Sequence, residues 1–230
     1  MARLQGIGRA GRFARAVLPV LVAGCLATAV ATLAAQSRPR HGNLFDPQNL
    51  GLLEGPDRDA WQQPGRIMDA LGISDGSTVA DLGAGGGWFT VRIARRVGPN
   101  GVVYAEDVQP QMIESINRRV LREGFRNVRT VLGTYTDPKL PAASCDAVLL
   151  VEVYHEIEDR VTLLTNVREA LAPNGRLGIV DFKLDGGGPG PDPDERVDPA
   201  VVIADAERAG LRLLSRETFL PYQYLLIFGR

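Results

Sequence analysis

The sequence predicts an α/β domain built on a doubly wound, mainly parallel sheet with helices on both faces. Three observations predict this fold class. Short apolar runs alternate with amphipathic stretches from about residue 67, a glycine-rich turn (GAGGG, 83–87) follows the first strong run, and two apolar runs end the chain around a short turn. Alternation of this kind is typical of β-α units in a parallel sheet. The short closing turn requires an antiparallel pair of strands.

The first half of the domain contains the clearest strand and helix patterns. Phe89, Ile93 and Val97 recur every four residues and predict a helix that ends at 98–99 (GP). A second helix is predicted through Met112, Ile116 and Val120, on the same spacing argument. The predicted strands of the alternating part are residues 78–82, 102–105, 128–132, 147–151 and 177–181.

The second half continues the alternation and then departs from it. Leu163, Leu164, Val167 and Leu171 mark a helix that residues 173–175 (PNG) close. Residues 185–196 (DGGGPGPDPDER) are too rich in Gly and Pro for regular structure. Residues 198–199 (DP) then predict a capped helix start and residue 210, a glycine, its end; the closing strands are 211–215 and 224–228.

Composition and charge exclude several classes of protein. The chain has 230 residues, 45% hydrophobic and 23% charged, and two cysteines, which excludes a disulfide-stapled miniprotein and a wholly disordered chain. The first 40 residues hold six arginines and no acid, so residues 41–230 hold 20 basic and 27 acidic side chains. A body with a net charge of −7 repels polyanions, which argues against nucleic-acid binding. No metal site is predicted.

Residues 1–36 have the pattern of a targeting segment. An uncharged stretch at 16–35 follows four arginines, as in an export signal or an N-terminal membrane anchor. Residues 22–25 (VAGC) also resemble a bacterial lipobox, in which Cys25 becomes lipidated. We therefore expect an exported or membrane-anchored protein, with a cytoplasmic body as the open alternative. Residues 37–66 are predicted to be an irregular lead-in, and 67–230 the folded domain.

The glycine-rich turn is the strongest functional signal. Gly83 and Gly85 lack a Cβ, so the turn can be tight and a ligand can approach the backbone and the following helix N-terminus. A dinucleotide fold is the main alternative, but its G-x-G-x-x-G spacing is absent, because position 88 is a tryptophan. Asp81 ends the strand before the turn, where a carboxylate repels a pyrophosphate and suits a cationic ligand.

A second acid stands at the end of the second predicted strand. Asp107 follows Asp81 by 26 positions, and an acid there can accept both hydroxyls of a ribose. Strand alternation directs Glu106 and Asp107 to opposite sides, so we expect one of them to reach the sugar and favour Asp107. The alternative for Glu106 is a solvated charge.

With these motifs the body, from about residue 61 to 230, resembles a class I S-adenosylmethionine-dependent methyltransferase of the single-domain kind. The resemblance rests on DLGAGGG (81–87), VYAEDVQPQMI (103–113), the run from 146 to 159 and ALAPNGRLGIVDF (170–182). It implies a seven-stranded sheet in the order 3-2-1-4-5-7-6, with strand 7 antiparallel, and S-adenosylmethionine as cofactor. The cofactor-binding residues it implies are Asp81, Gly83, Ala84, Gly85, Gly87, Asp107, Val108, Thr134 and Glu152.

The sequence departs from that family at one point. Relatives often carry an acid after strand three that contacts the adenine amino group, and Thr134 stands there instead. Three alternatives stay open: Asp137 substitutes for the acid, the Thr134 hydroxyl does so, or packing and backbone hold the base.

Candidate proton acceptors cluster after strand four. His155 and Glu152 are our candidate catalytic residues, because ligands bind at the carboxyl ends of such strands and an oxygen or nitrogen nucleophile needs a base. Glu152 or Glu156 could equally cap the next helix. The 185–196 loop and the lead-in are each either a cover over the acceptor or a solvated segment.

Three functions are compatible with these observations. The first is methyl transfer to a small-molecule or lipid-like acceptor by in-line displacement. The second is an exported, non-catalytic binding module, which the leader favours because this cofactor is not ordinarily supplied outside the cytosol. The third is an NAD(P)-dependent oxidoreductase, which the glycine spacing disfavours. Membrane contact is expected through the leader only.

Overall fold

The computed structural model describes residues 44–185 and 187–230. The leader with Cys25 lies outside these residues. The described helices and strands are a 3₁₀ helix Pro47–Glu54, α1 (Arg58–Gln62), α2 (Pro64–Ala70), β1 (Thr78–Leu82), α3 (Trp88–Val97), β2 (Val102–Asp107), α4 (Pro110–Glu123), β3 (Val128–Leu132), β4 (Cys145–Val151), a 3₁₀ turn Tyr154–Glu156, α5 (Arg160–Ala170), β5 (Leu171–Phe182), α6 (Pro199–Arg208), β6 (Arg212–Glu217) and β7 (Gln223–Gly229).

The strands of the described residues form a seven-stranded sheet in the order β3-β2-β1-β4-β5-β7-β6. The pairs among β1 to β5 are parallel, whereas β7 runs antiparallel to both of its neighbours, β5 and β6. The predicted fold class, strand order and antiparallel strand are confirmed. This order puts the carboxyl ends of β1, β2, β3 and β4 side by side, with β1 and β4 adjacent.

Both faces of the sheet are buried, as a doubly wound fold requires. Alternate residues of β4 enter different apolar clusters: Val148 and Leu150 pack with α5 and α6, and Leu149 and Val151 pack with α2 and α3. Leu149 and Leu150 are both fully buried. The strands therefore read as near-continuous apolar runs, which is why their positions were visible in the sequence. Nowhere in the described residues is there a helix with the length and apolarity that a membrane crossing needs.

The boundary between α5 and β5 differs from the prediction. The helix ends at Ala170, and β5 begins at once with Leu171, which pairs with Cys145; the next pair, Ala147 with Arg176, shows a register shift. The PNG sequence, predicted to be a loop that closes the helix, therefore lies in a bulge of β5. Pairing with β4 on both sides of the bulge overrides the local turn signal.

Part of the predicted irregular lead-in is helical. The Asp46 carboxylate caps the 3₁₀ helix by accepting a hydrogen bond from the Gln48 amide at 2.9 Å, and Pro47 occupies its first position. A further short helix, α1, follows at Arg58–Gln62. Neither segment has an apolar stripe of its own, so the helical spacing that predicts α3 and α4 gives no signal here. The 3₁₀ helix begins at its local cap, and α1 is held to the domain by Arg58 and Gln62, which are buried.

Candidate active site

A cavity with a volume of about 370 Å³ lies at the carboxyl ends of β1, β2, β3 and β4. Open α/β sheets bind ligands at this edge, beside the point where the strand order reverses. Its walls come from the glycine-rich turn, the ends of β2 and β4, the loop after β3, the 3₁₀ turn that precedes α5, and the lead-in. Three of the lead-in residues in the wall are Phe45, Leu53 and Arg58.

The glycine-rich turn has the backbone conformation that its sequence predicts. Gly83, Gly85 and Gly87 have φ of +69°, +54° and +80°, a region that favours glycine. A Cβ on Gly83 would lie 2.4 Å from a methyl carbon of Val153, so no side chain fits between the turn and the end of β4. The Gly87 amide donates to the Ala84 carbonyl at 2.8 Å, and α3 begins directly after it. The cavity is therefore lined by bare backbone at this point.

Asp81 lies at the base of the turn and is only 3% exposed. Its carboxylate accepts a hydrogen bond of 2.6 Å from the Thr90 hydroxyl, at the start of α3. Burial raises the pKa of Asp81 to about 6, although the Thr90 hydrogen bond and the nearby Arg58 charge oppose the shift. A positively charged ligand in the cavity would favour the ionised form of this carboxyl group.

Asp107 is fixed by two backbone amides. Its Oδ2 accepts from the Gly85 amide and its Oδ1 from the Gln109 amide, both at 2.9 Å. Burial raises its pKa, and these hydrogen bonds act in the opposite direction. Each carboxylate oxygen has a second lone pair, so Asp107 can still accept from a pair of hydroxyl groups. The carboxylate is thus oriented before any ligand binds.

Glu106 is not the solvated charge that was one expectation for it. The residue is 2% exposed and lines the cavity together with Asp107, although strand alternation suggested that only one of them would reach a ligand. Its Oε2 accepts from the Gly83 amide at 3.3 Å. Burial and the neighbouring Asp107 raise the pKa of Glu106 to about 8. The expectation was wrong because the turn after β1 and the loop after β3 pack against the end of β2, where Gly83 and Gly133 lie beside the Glu106 carboxyl group.

Thr134 lines the cavity, but its hydroxyl is engaged within its own loop. It accepts from the Asp137 amide at 3.0 Å and lies 3.2 Å from the Asp137 carbonyl oxygen, to which it donates. The Asp137 carboxylate in turn accepts from the Lys139 amide at 2.8 Å. The Thr134 hydroxyl is therefore used locally, and the Asp137 carboxylate is exposed and does not line the cavity.

The lead-in closes one side of the cavity through backbone contacts. The Phe45 carbonyl accepts from the Gln109 side-chain amide at 3.0 Å, and the Phe45 amide hydrogen bonds with the Glu156 carboxylate. Phe45 thereby joins the loop after β2 to the loop after β4. Further along, Glu54 forms an ion pair with Arg119 of α4.

Glu152 belongs to a buried polar network that holds α1 in place. Its Oε1 accepts from the side-chain amides of Gln62, at 3.0 Å, and Gln223, at 2.8 Å, and its Oε2 lies 3.3 Å from the Arg58 guanidinium. Burial raises the pKa of Glu152 and lowers that of Arg58. Arg58 also donates to Gln62 and to the Leu53 carbonyl. With three donors on its carboxylate, Glu152 is better suited to positioning the lead-in than to accepting a proton.

His155 lies behind the cavity wall rather than in it. Its Nδ1 is 3.1 Å from the Asp181 carboxylate, which is fully buried, and its Nε2 is 4.0 Å from Glu156 Oε1. Burial opposes protonation of His155, but Asp181, Glu156 and Glu152 outweigh it and raise the pKa of the ring. Glu156, by contrast, lines the cavity, and burial raises its pKa to about 7.

Comparison with known proteins gives the family of this arrangement. Residues 79–175 match the family described as a methyltransferase domain. Residues 79–175 therefore carry a methyltransferase domain. A SAM-dependent methyltransferase from Aquifex aeolicus is a structural neighbour, with a TM-score of 0.77 and 27% identity over 80% of this chain and 98% of that one. The predicted class I fold is confirmed, and the matched family and this neighbour are methyltransferases of the kind that the resemblance implied.

Curated relatives of the methyltransferase domain differ in the atom that they methylate. Nocamycin O-methyltransferase of Saccharothrix syringae is 29% identical over 57% of this chain and 44% of its own length. The ubiquinone/menaquinone biosynthesis C-methyltransferase of Hahella chejuensis is 28% identical over 50% of this chain and 47% of its own. The chain thus spans about half the length of these relatives.

The methyltransferase domain brings most of the predicted site residues together. Those that line the cavity are Asp81, Gly83, Ala84, Gly85, Asp107, Val108, Thr134 and Glu152. Gly87 and His155 do not line it: Gly87 is the N-cap residue of α3, and His155 lies behind the cavity wall. The sequence analysis named Glu106 and Glu156 but assigned neither to the site, and it missed Arg58. For Glu156 the signal was its position beside His155; for Arg58 no local pattern exists, because its partner Glu152 is 94 positions away.

Proposed function

We propose that this chain transfers a methyl group from S-adenosylmethionine to a small-molecule acceptor. One observation carries the proposal: the cavity joins a side-chain-free turn to two fixed carboxylates, Asp81 and Asp107. Among the described residues in its wall, eight carry a carboxyl group and one, Arg58, is basic. Such a wall attracts a ligand with a sulfonium and an ammonium group. The residues present therefore fit this cofactor.

Named residues would hold the cofactor by different groups. Asp107 would accept the ribose hydroxyls, because its two oxygens are already oriented by backbone amides. The turn at Gly83 and Gly85 admits the ligand to the backbone, and Asp81 supplies negative charge beneath it. When bound, S-adenosylmethionine supplies an electrophilic methyl group for in-line transfer, for which the acceptor atom must lie about 3 Å from the methyl carbon.

In the proposed reaction the protein closes the cavity to water, orients the reactants and accepts a proton from the acceptor. Apolar side chains of the wall, among them Phe45, Leu53 and Trp88, exclude water from the cavity. Glu156 is the wall carboxylate placed to take the proton that an oxygen or nitrogen acceptor loses. His155, oriented by Asp181, stands behind Glu156 and stabilises its charge. Several relatives support a small organic acceptor, since their names specify nocamycin, ubiquinone/menaquinone and aklanonic acid.

Calorimetric titration tests the proposal directly. Wild-type protein should bind S-adenosylhomocysteine and S-adenosylmethionine, and Asp107→Ala should weaken binding about tenfold or more because a charge-assisted hydrogen bond is lost. Asp137→Asn, a neutralisation at an exposed carboxylate outside the cavity wall, is the matched control and should leave binding unchanged. NADH should give no heat. An absence of binding by the wild type at millimolar cofactor contradicts the proposal, and NADH binding supports the oxidoreductase alternative.

We also propose that residues 1–36 direct export or anchor the protein to a membrane. The support is the sequence pattern alone: four arginines, then an uncharged stretch at 16–35. Intact-mass measurement of the protein purified from its native host separates the outcomes. A mass lacking the leader supports a cleaved signal, an added lipid at Cys25 supports lipoprotein processing, and a full-length chain in the membrane fraction supports an anchor. A full-length chain in the cytosolic fraction contradicts the proposal.

A further inference from the structure

Glu106 is a buried carboxyl group that the proposed reaction leaves without a role. It is 2% exposed, and its Oε2 accepts a single hydrogen bond, from the Gly83 amide. No Lys or Arg among the described residues forms an ion pair with it, and its Oε1 accepts no hydrogen bond from them. A buried acid with so few partners destabilises the fold unless it serves a ligand.

The free oxygen of Glu106 lies under the loop that follows β3. A Cβ on Gly133 would lie 1.8 Å from Oε1, so only glycine leaves room for the carboxyl group there. Gly133 directly precedes Thr134, and Thr134, Val108 and Glu106 all line the cavity. Oε1 is therefore placed beside the wall that the loop after β3 and the residue after Asp107 form together.

That loop places no acid of its own in the cavity wall. The Thr134 hydroxyl both donates to and accepts from the Asp137 backbone, and the Asp137 carboxylate accepts from the Lys139 amide. Asp137 is exposed and does not line the cavity with its neighbours Thr134, Tyr135 and Thr136. Of the acids near this wall, Glu106 is the one whose carboxyl group is both buried and incompletely hydrogen-bonded.

We infer that Glu106 recognises the amino edge of the cofactor's adenine base. The inference rests on the proposed function, since it assigns a residue to the same cofactor. The ring nitrogen beside the adenine amino group accepts a hydrogen bond, whereas the same ring position of hypoxanthine carries an N–H donor. Because the Gly83 amide already donates to Oε2, the proton of a neutral Glu106 carboxyl group lies on Oε1, from which it can donate to that ring nitrogen. The raised pKa of Glu106, about 8, keeps the group neutral at pH 7 in agreement with this pairing. In this assignment the carboxyl group that contacts adenine belongs to a residue of β2, whereas relatives often carry it in the loop after β3.

Binding of two nucleosides measures this role without an acceptor. S-inosylhomocysteine carries an oxo group in place of the adenine amino group and therefore reverses the hydrogen-bonding pattern of that edge. Calorimetry should show that the wild type binds S-adenosylhomocysteine at least about tenfold more tightly than the inosyl analogue. Glu106→Met, which keeps the volume but removes the polar group, should bind both within about threefold of each other.

Two further variants make the result decisive. Glu106→Gln keeps an oxygen to accept from the Gly83 amide and puts an N–H donor at the position of Oε1, so it should retain the preference for the adenosyl ligand. Asp137→Asn should retain it too; loss of the preference in Asp137→Asn would transfer the role to Asp137 and overturn the inference. It is equally overturned if wild type shows no preference, or if Glu106→Met weakens both ligands equally. If the Met variant does not fold by circular dichroism, the preference of Glu106→Gln decides, and its loss overturns the inference.

These outcomes remain separate from failure of the proposed function. Wild type that binds neither nucleoside contradicts the methyltransferase proposal. Wild type that binds both equally leaves that proposal intact and removes only the role of Glu106.

Discussion

Two segments of the chain have sequences that left the same two interpretations open, and the structure shows that their roles differ. The lead-in and the 185–196 loop are both rich in Gly, Pro and Asp, and each was either a cover or a solvated segment. The lead-in contributes Phe45, Leu53 and Arg58 to the cavity wall, whereas no described residue of the 185–196 loop does. Segments of similar composition thus differ in what they contact.

The difference lies in the polar partners of each segment. The lead-in is tied across the cavity through Phe45 to Gln109 and Glu156, and through Arg58 to Glu152. The loop instead folds back on itself through Arg196, which donates to the Pro191 and Lys183 carbonyls at 3.0 and 2.9 Å. The hydrogen bonds therefore identify the lead-in as the segment that covers the cavity, whereas amino-acid composition does not distinguish the two segments.

The largest effect on stability is expected from substitution of Arg58, which links the lead-in to the buried polar network around Glu152. Arg58→Leu should lower the free energy of unfolding by about 3 kcal/mol, because Glu152 loses its cationic partner inside the protein. Chemical denaturation measures the loss, and calorimetry should show weaker S-adenosylhomocysteine binding as the lead-in loosens. The double variant Arg58→Leu/Glu152→Leu should recover part of the stability, since no uncompensated charge remains. A loss below about 0.5 kcal/mol would show that the network does not hold the lead-in.

A smaller effect on stability is expected from the ionisation of Glu156, whose carboxyl group contacts the Phe45 amide. Glu156 has a pKa of about 7 in the folded protein, above its ordinary value, so the folded state binds more protons than the unfolded state between about pH 4.5 and 7. Stability should therefore fall as pH rises through this window. Glu156→Gln should reduce that fall by on the order of 2 kcal/mol between pH 5 and 8. The groups around Glu156 are the Phe45 amide, His155, Asp107 and Asp181.

Denaturation curves of wild type and Glu156→Gln at several pH values test this prediction. The difference between the two proteins isolates Glu156, because Asp81 and Glu106 also have raised pKa values and contribute a fall of the same sign to both. Parallel pH profiles would mean that Glu156 ionises normally in the folded protein.

A still smaller change is expected at the other end of the Phe45 contact. Gln109→Ala removes the hydrogen bond to the Phe45 carbonyl and should weaken S-adenosylhomocysteine binding by about 1 kcal/mol, or roughly fivefold. Calorimetry gives the affinity, and the unfolding free energy should change little because Gln109 is not part of the core. Unchanged affinity would limit the role of the lead-in to the Arg58 network.

The fold was predictable because its signals are local and repeated. Buried strands such as β4 read as apolar runs, and residues 198–199 (DP) predicted the capped start of α6, where the Asp198 carboxylate accepts from the Ala200 amide at 2.7 Å. The same dipeptide at 46–47 begins the 3₁₀ helix, yet no apolar periodicity follows it and the helix was missed. A cap signal predicts a helix only when a core-facing pattern accompanies it.

The part of the candidate site that could be predicted is the part whose residues lie close together in the sequence. The turn at 83–87, Asp81 and Asp107 lie within 27 positions and carry their spacing in the sequence. The network around Glu152 could not be predicted, because Gln62 and Gln223 meet over 161 positions. Glu106 was misplaced because alternation along a strand describes two faces, whereas a strand end inside a cavity exposes neither face to solvent.

The smallest effect on cofactor binding is expected from a substitution in the 185–196 loop. Arg196→Ala removes two hydrogen bonds to backbone carbonyls and the contact of the guanidinium with the Phe182 ring, at 5.3 Å. Denaturation should show a loss of about 1 kcal/mol. S-adenosylhomocysteine binding should stay within twofold of wild type, because no described residue of the loop lies in the cavity wall. Should Arg196→Ala weaken binding as much as Arg58→Leu, both segments would cover the site, and the distinction drawn from their hydrogen bonds would be wrong.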